Sequence, residues 1–189
     1  MGNVVYDWNR NRELWIRVLK KQTGHGLDHW NRRIRQENLQ DEGALRAWLK
    51  GQGVKGYAET LLVMERFGYP DFLSATADTL IDNQYADRQH LLPIYHAIIG
   101  AMAGIGEIGI QARKTYISLL TSRRTFARIQ PTTKNRVDLG LRLEGQQPGG
   151  RLQPSTIQAT MKIQIGLMSV DDVDDEVLFW LQKAYEENC

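Results

Sequence analysis

Cysteine is almost absent from this sequence, since Cys189, the last residue, is the single one. One thiol can form neither an internal disulfide nor a cysteine-based zinc site, so folding does not depend on an oxidising compartment. No stretch approaches the roughly 18 consecutive apolar residues of a membrane-spanning helix, and residues 1–12 lack the pattern of a secretory signal. We therefore expect a soluble, cytoplasmic protein with no membrane partner.

The sequence also lacks the motifs of well-known catalytic and cofactor sites. It contains no GxSxG, HExxH, CxxC or Walker pattern. A GxGxxG stretch begins at Gly104, but it follows a predicted helix and precedes a predicted strand, the reverse of the order that binds a dinucleotide. The four histidines are poorly spaced for one ion: His25, His29, His90 and His96. We expect no metal and no cofactor.

Charge is nearly balanced overall but uneven along the chain. The 189 residues carry a formal net charge of +2, with 42% hydrophobic and 24% charged residues, which is typical of globular domains rather than disordered chains. Residues 107–151 hold nine basic and three acidic side chains, whereas residues 169–189 hold seven acidic side chains and one lysine. The basic segment favours an anionic partner.

Helical spacing dominates the first part of the chain. Apolar residues recur every three or four positions between glycines, as in Leu45, Trp48 and Leu49 before Gly51. Gly68 and Pro70 mark a boundary. The pattern predicts a helical domain over residues 1–69.

Strand-like alternation begins after Gly109. Val137, Leu139 and Leu141 alternate with polar or small residues, and similar runs start near Lys114, Thr125 and Met161. An amphipathic helix follows the acidic residues after Ser169. We therefore predict an α+β fold: the helical N-terminal domain, then an antiparallel sheet with helices packed on one face, over residues 70–189.

Two segments of the second half, RKTYISL and RRTFARIQPTTKNRVDLGLRL, closely resemble the C-terminal domain of a bacterial family of unknown function. This family is sometimes labelled a predicted transport protein. The upstream stretches KQTGHGLDHW and RAWLKGQGVKGYAETLLVMERFG resemble the small helical domain of unknown function that precedes it in the same architecture. The resemblance implies a two-domain bacterial protein and assigns no activity. The sequence does not support the label of a transport protein, because no segment could cross a bilayer.

Strand alternation predicts that many polar side chains share one surface of the sheet. The residues expected there are Lys114, Tyr116, Ser118, Phe126, Arg128, Gln130, Arg136, Asp138, Arg142, Lys162 and Gln164. Cations would hold a phosphate or carboxylate, and aromatic rings would stack on a planar group. The turn at Thr132, Thr133 and Lys134, and Arg124 of the preceding turn, would add contacts. A solvated sheet face with no ligand would show the same pattern.

The function predicted from these residues is a soluble protein that binds an anion: a phosphorylated or carboxylated small molecule, which is favoured, or a nucleic-acid backbone. An alternative is a small metal-independent hydrolase or lyase, with Lys114 or Tyr116 as base or nucleophile and Asp138 orienting them in a cleft between the domains. A third hypothesis is a protein-interaction module without a ligand site.

Overall fold

The computed structural model describes residues 4–5 and 8–189, which form two compact units. One unit spans residues 8–75; the other contains Val4–Val5 and residues 76–189. The α-helices are α1 (Trp8–Thr23), α2 (Leu27–Glu37), α3 (Glu42–Gly51), α4 (Tyr57–Phe67), α5 (Asp71–Ser74), α6 (Ala77–Tyr85), α7 (Leu92–Met102) and α8 (Asp175–Glu187). Short 3-10 turns cover Gln89–Leu91 and Val170–Asp172.

The helical unit is built from α1 to α5 around its own apolar core. Leu19, Trp30, Ile34, Leu49 and Leu61 are among its fully or almost fully buried side chains, and they sit on the apolar stripes of α1 to α4. At the start of α3, the Asp41 side chain accepts a hydrogen bond from the Ala44 amide at 2.8 Å. That cap satisfies an amide that would otherwise lack a partner at the helix end.

The second unit is organised by one sheet of seven strands in the order β1-β2-β3-β4-β5-β7-β6. The strands are β1 (Val4–Val5), β2 (Gly109–Ala112), β3 (Ile117–Leu120), β4 (Thr125–Thr133), β5 (Arg136–Leu141), β6 (Gln153–Pro154) and β7 (Ile163–Leu167). β1 pairs with β2 in parallel, and every other pair is antiparallel.

One face of the sheet is an apolar core covered by helix α8. Ile129, Leu139 and Ile165 stand opposite one another on β4, β5 and β7, and each is at most 1% exposed. α8 packs against β4 and β5 through the side that carries Val177 and Leu181. Helix α8 therefore buries the apolar face that the alternating strand residues form.

Phe126 lies in this core rather than on the polar surface where simple alternation would place it. The register between β3 and β4 shifts at Leu119 and Leu120, so Phe126 falls at an extra position in β4. Its ring is fully buried and meets the ring of Tyr185 on α8 edge-on, 5.5 Å away.

The predicted α+β class is confirmed: a helical N-terminal part precedes a largely antiparallel sheet with helices on one face. Among the helices of residues 8–189, none is both long enough and apolar enough to span a bilayer.

Candidate functional site

The other side of the sheet carries a set of polar groups in register, here called the polar face. Its side chains are Tyr116, Ser118, Arg128, Gln130, Arg136, Asp138 and Gln164, and the glycines Gly140 and Gly166 lie between them. One cross-strand row runs Ser118, Arg128, Gly140, Gln164. The next runs Gln130, Asp138, Gly166. Strand pairing therefore brings these predicted site residues together.

Arg128 is the central cation of the polar face. Its guanidinium carbon lies 3.6 Å from the centroid of the Tyr116 ring, a close cation–π contact. The Nη1 group donates to the carbonyl oxygen of Ile157 at 3.2 Å, which is the one hydrogen bond of this side chain within the described residues. Nε is buried without a hydrogen-bond partner. Burial lowers the pKa of Arg128, since charge is disfavoured away from water.

No carboxylate neutralises Arg128 in the described part of the chain. Nine basic residues lie between positions 107 and 151, and two of them form ion pairs within the described residues. Arg136 pairs with Asp138, and Arg151 pairs with Asp174 and Glu176. Arg128 is only half exposed, unlike the lysines of the turns. Charged groups withdrawn from water are normally paired, so this guanidinium is suited to an external anion.

Asp138 lies in the row of the sheet next to that of Arg128 and belongs to a cluster that is already neutral. Its side chain is 1% exposed, and its Oδ1 lies 3.1 Å from Nε of Arg136. Its other oxygen accepts hydrogen bonds from Arg136, at 3.2 Å, and from the Thr132 hydroxyl. Two of the predicted ligand-binding residues, Thr132 and Arg136, thus hold a carboxylate of the protein itself.

Residues 155–161, here called the strap, cover the middle of the polar face. The strap joins β6 to β7, and a Cβ placed on Gly140 would lie 2.7 Å from Cδ1 of Ile157. The Thr156 amide donates to Oε1 of Gln164 at 2.8 Å. Ile157 therefore occupies the space that a side chain at position 140 would fill.

Among the described residues, no hydrogen bond or ion pair joins the remaining predicted ligand residues to Arg128. Arg124 belongs to the β3–β4 turn, where its main chain bonds to Thr121, and Arg142 follows β5 directly and bonds to Phe126 and Asn188 through its main chain. Each has a buried Nε without a hydrogen-bond partner. Thr133 ends β4 and Lys134 lies in the turn that follows; both are exposed, and the Thr133 carbonyl accepts from Arg88.

The three residues of the enzymatic hypothesis are not joined into one cluster. Lys114 is exposed in the β2–β3 turn, Tyr116 is stacked against Arg128, and Asp138 is engaged by Arg136 and Thr132. Among the hydrogen bonds and ion pairs of the described residues, none connects Lys114 to either of the others.

Sequence reasoning missed the strap, although a signal for it was present. Gly140 interrupts the polar alternation of β5, and a glycine inside a strand often marks a close approach of another group. The approaching group is Ile157, whose loop position has no periodicity that could have identified it.

Two further places in the molecule bring histidines near other polar groups. The rings of His25 and His29 stack 4.0 Å apart in the helical unit, but no group of three or more His, Cys, Asp or Glu side chains converges within the described ranges. A pocket of about 660 Å³ is lined by residues of α6 and α7, including Asp82, Tyr85 and His96. That lining contains none of the predicted site residues.

The second part of the chain matches a known protein family. The family described as "Domain of unknown function (DUF5655)" matches residues 81–188, a stretch that contains the whole polar face and the strap. No curated protein and no solved structure matches.

Proposed function

The chain belongs to the DUF5655 family of domains of unknown function, and on this premise we propose that it is a binding protein whose polar face takes an anionic ligand. The observation that carries the proposal is the half-buried Arg128 guanidinium, stacked on Tyr116 and without a carboxylate partner in the described residues. An oxyanion would supply the missing charge through charge-assisted hydrogen bonds.

A small anion suits this position better than a nucleic-acid backbone. The strap borders Arg128 on one side through Ile157, and the carboxylate of Asp138 lies in the neighbouring row of the sheet. A polymer backbone is held by several cations in line and would meet that carboxylate and the strap. A phosphorylated or carboxylated small molecule needs one cation and a few polar neighbours, such as Ser118 and Gln130.

The proposal includes the finer expectations from the sequence. The protein would act in a bacterial cytoplasm, consistent with its single, exposed thiol.

Isothermal titration with pyrophosphate, citrate and a single-stranded oligonucleotide tests the proposal. We expect pyrophosphate or citrate to bind, and Arg128→Gln to weaken binding about tenfold or more, since a hydrogen bond to a charged group is worth about 1.5–3 kcal/mol. Arg128→Lys should recover little, because lysine lacks the planar fork and the stacked contact. Titrations at about 50 and about 200 mM salt distinguish a polymer, whose affinity would fall steeply between them.

Two control variants make the result specific. Arg123→Gln removes an exposed cation of the β3–β4 turn and should leave affinity within about twofold. His96→Ala alters the pocket between α6 and α7. Loss of binding in His96→Ala with full binding in Arg128→Gln would move the site to that pocket and contradict the proposal.

The same preparations test the enzymatic hypothesis. Ester, phosphoester and amide probes would be incubated with the wild type and with Lys114→Ala and Tyr116→Phe. If the wild type turns over a probe and both variants fail to do so, the enzymatic hypothesis would be supported over the binding function.

A further inference from the structure

We propose that the strap is a built-in competitor for the anion site, so that a ligand's oxyanion displaces the carbonyl oxygen of Ile157 from Arg128 and lifts the middle of the strap. This inference rests on the proposed function and adds its regulation and its ligand chemistry, a planar or tetrahedral oxyanion.

The ends of the strap are fixed to the sheet. Gln153 pairs with Gln164 and Pro154 with Ile163, and the Ser155 amide donates to the carbonyl of Lys162 at 2.9 Å. A displacement is therefore confined to the middle of the loop. Thr160 at its far side is exposed and makes no hydrogen bond within the described residues.

Three contacts seat the middle of the strap on the polar face. The Ile157 side chain lies over Gly140, its carbonyl accepts from Nη1 of Arg128 at 3.2 Å, and the Thr156 amide donates to Gln164 at 2.8 Å. Met161 contributes a fourth, apolar contact, since its Cβ lies 3.3 Å from the position of a Cβ on Gly140. The strap is thus seated on the row that contains Arg128.

The carbonyl of Ile157 is a weaker partner for the guanidinium than an oxyanion would be. It is neutral and accepts a single hydrogen bond, whereas a carboxylate or phosphate accepts two parallel bonds and compensates the charge. The interaction of Arg128 with a ligand oxyanion is therefore stronger than the hydrogen bond to the Ile157 carbonyl that it replaces. The ligand must also offset the packing of Ile157, so the apparent affinity is the intrinsic affinity multiplied by the fraction of molecules in which the strap is not seated.

The test measures affinity for pyrophosphate and, in a separate arm, for citrate in strap variants. Ile157→Ala removes the apolar seat and leaves Arg128 intact, and we expect it to raise affinity about threefold to tenfold. Gly140→Ala places a methyl group in the space that the Ile157 side chain occupies, and it should also raise the affinity. Thr160→Ala changes the strap without touching the face and should match the wild type.

Hydrogen exchange gives a second readout that affinity alone does not provide. The Thr156 amide, bonded to Gln164, should exchange slowly in the free protein and faster when the anion is bound. In Ile157→Ala it should exchange faster without any anion. An unchanged Thr156 amide on saturation by a bound anion would overturn the inference.

The outcomes separate the two proposals. If Arg128→Gln abolishes binding while Ile157→Ala and Gly140→Ala bind as the wild type does, the strap inference is wrong and the binding function stands. If the wild type binds neither anion but Ile157→Ala does, the anion does not displace the strap and the strap inference is wrong, while the anion site on the polar face is supported. If neither the wild type nor either strap variant binds either anion, both fail.

Discussion

A carboxylate that is almost fully withdrawn from water dominates the polar face at the residue scale. Asp138 depends on Arg136 and Thr132, and the alkyl stem of Arg136 crosses Gly166, where a Cβ would lie 3.1 Å from its Cδ. Gly166 thus provides the space in which the Arg136 side chain reaches the carboxylate. The cluster fixes one end of the polar face in a single arrangement.

Removal of Arg136 should therefore cost more than a surface substitution. Arg136→Met leaves the Asp138 carboxylate with Thr132 alone, and we expect the free energy of unfolding in urea to fall by about 2 kcal/mol. The double variant with Asp138→Asn should recover part of this loss, since the buried group is then neutral. Arg123→Met, an exposed control, should change stability by less than about 0.5 kcal/mol. Equal stability of the wild type and Arg136→Met would contradict the assignment.

At the scale of elements, the entry into α8 is organised by aspartates. Asp172 accepts from the amides of Met168 and Ser169, at 2.7 and 2.9 Å, and Asp174 accepts from the amide of Val177. The bonds from Met168 and Ser169 lower the pKa of Asp172, and the bond from Val177 lowers that of Asp174. Helix N-termini favour such negative charge.

These caps predict a loss of stability in acid. A carboxyl whose pKa is lower in the folded state stabilises the fold above its ordinary pKa of 3.8, and the contribution disappears as the pH falls through the lower folded value. Asp172→Ala should destabilise the protein by about 1 kcal/mol near neutral pH, and the difference from wild type should shrink near pH 3. Asp171→Ala, its exposed neighbour, is the control in urea unfolding at both pH values. A difference that stays constant with pH would contradict the capping role.

The elements also show what sequence patterns could and could not predict. Period-two alternation identified β3, β4, β5 and β7, but two-residue strands such as β1 and β6 are too short to show any period. Within residues 71–85, α5 and α6 are separate helices because the Thr76 side chain caps a new helix by accepting from the Thr79 amide. The position of Phe126 depends on the register with β3, a property of two strands together.

The candidate site also has features that the sequence pattern could predict and features that it could not. Parity along each strand was enough to predict that Ser118, Arg128 and Gln164 share a face, since side-chain direction alternates locally. The burial of Asp138 depends on its contacts with the Arg136 and Thr132 side chains, which strand alternation does not predict. Gly140 signals a close approach, but Ile157, which covers it, belongs to a loop without periodicity.

At the scale of the whole molecule, each of the two compact units has a core of its own. Leu61 is fully buried in the helical unit and Leu139 is fully buried in the sheet. The core cluster of the helical unit consists of residues of that unit, and Leu139 belongs to the other unit. Their stabilities can therefore be perturbed separately.

Matched core truncations test this separation. Leu61→Ala should cost about 3 kcal/mol and lower amide protection in α1 to α4 while β4 and β5 keep theirs, and Leu139→Ala should do the converse. Hydrogen exchange followed by mass spectrometry reports both regions in one experiment. Loss of protection throughout the chain in both variants would show a single cooperative unit instead.

The parallel pairing of β1 with β2 has a consequence for synthesis on the ribosome. Val4 and Val5 precede their partners Gly109 and Ile110 by roughly 100 residues, about ten seconds at ordinary translation rates. The helical unit is translated in the interval and can fold before the sheet has any second strand. β1 therefore stays unpaired until β2 has been synthesised. The free energy of unfolding of a variant lacking residues 1–5 would measure how much β1 contributes to the stability of the complete sheet.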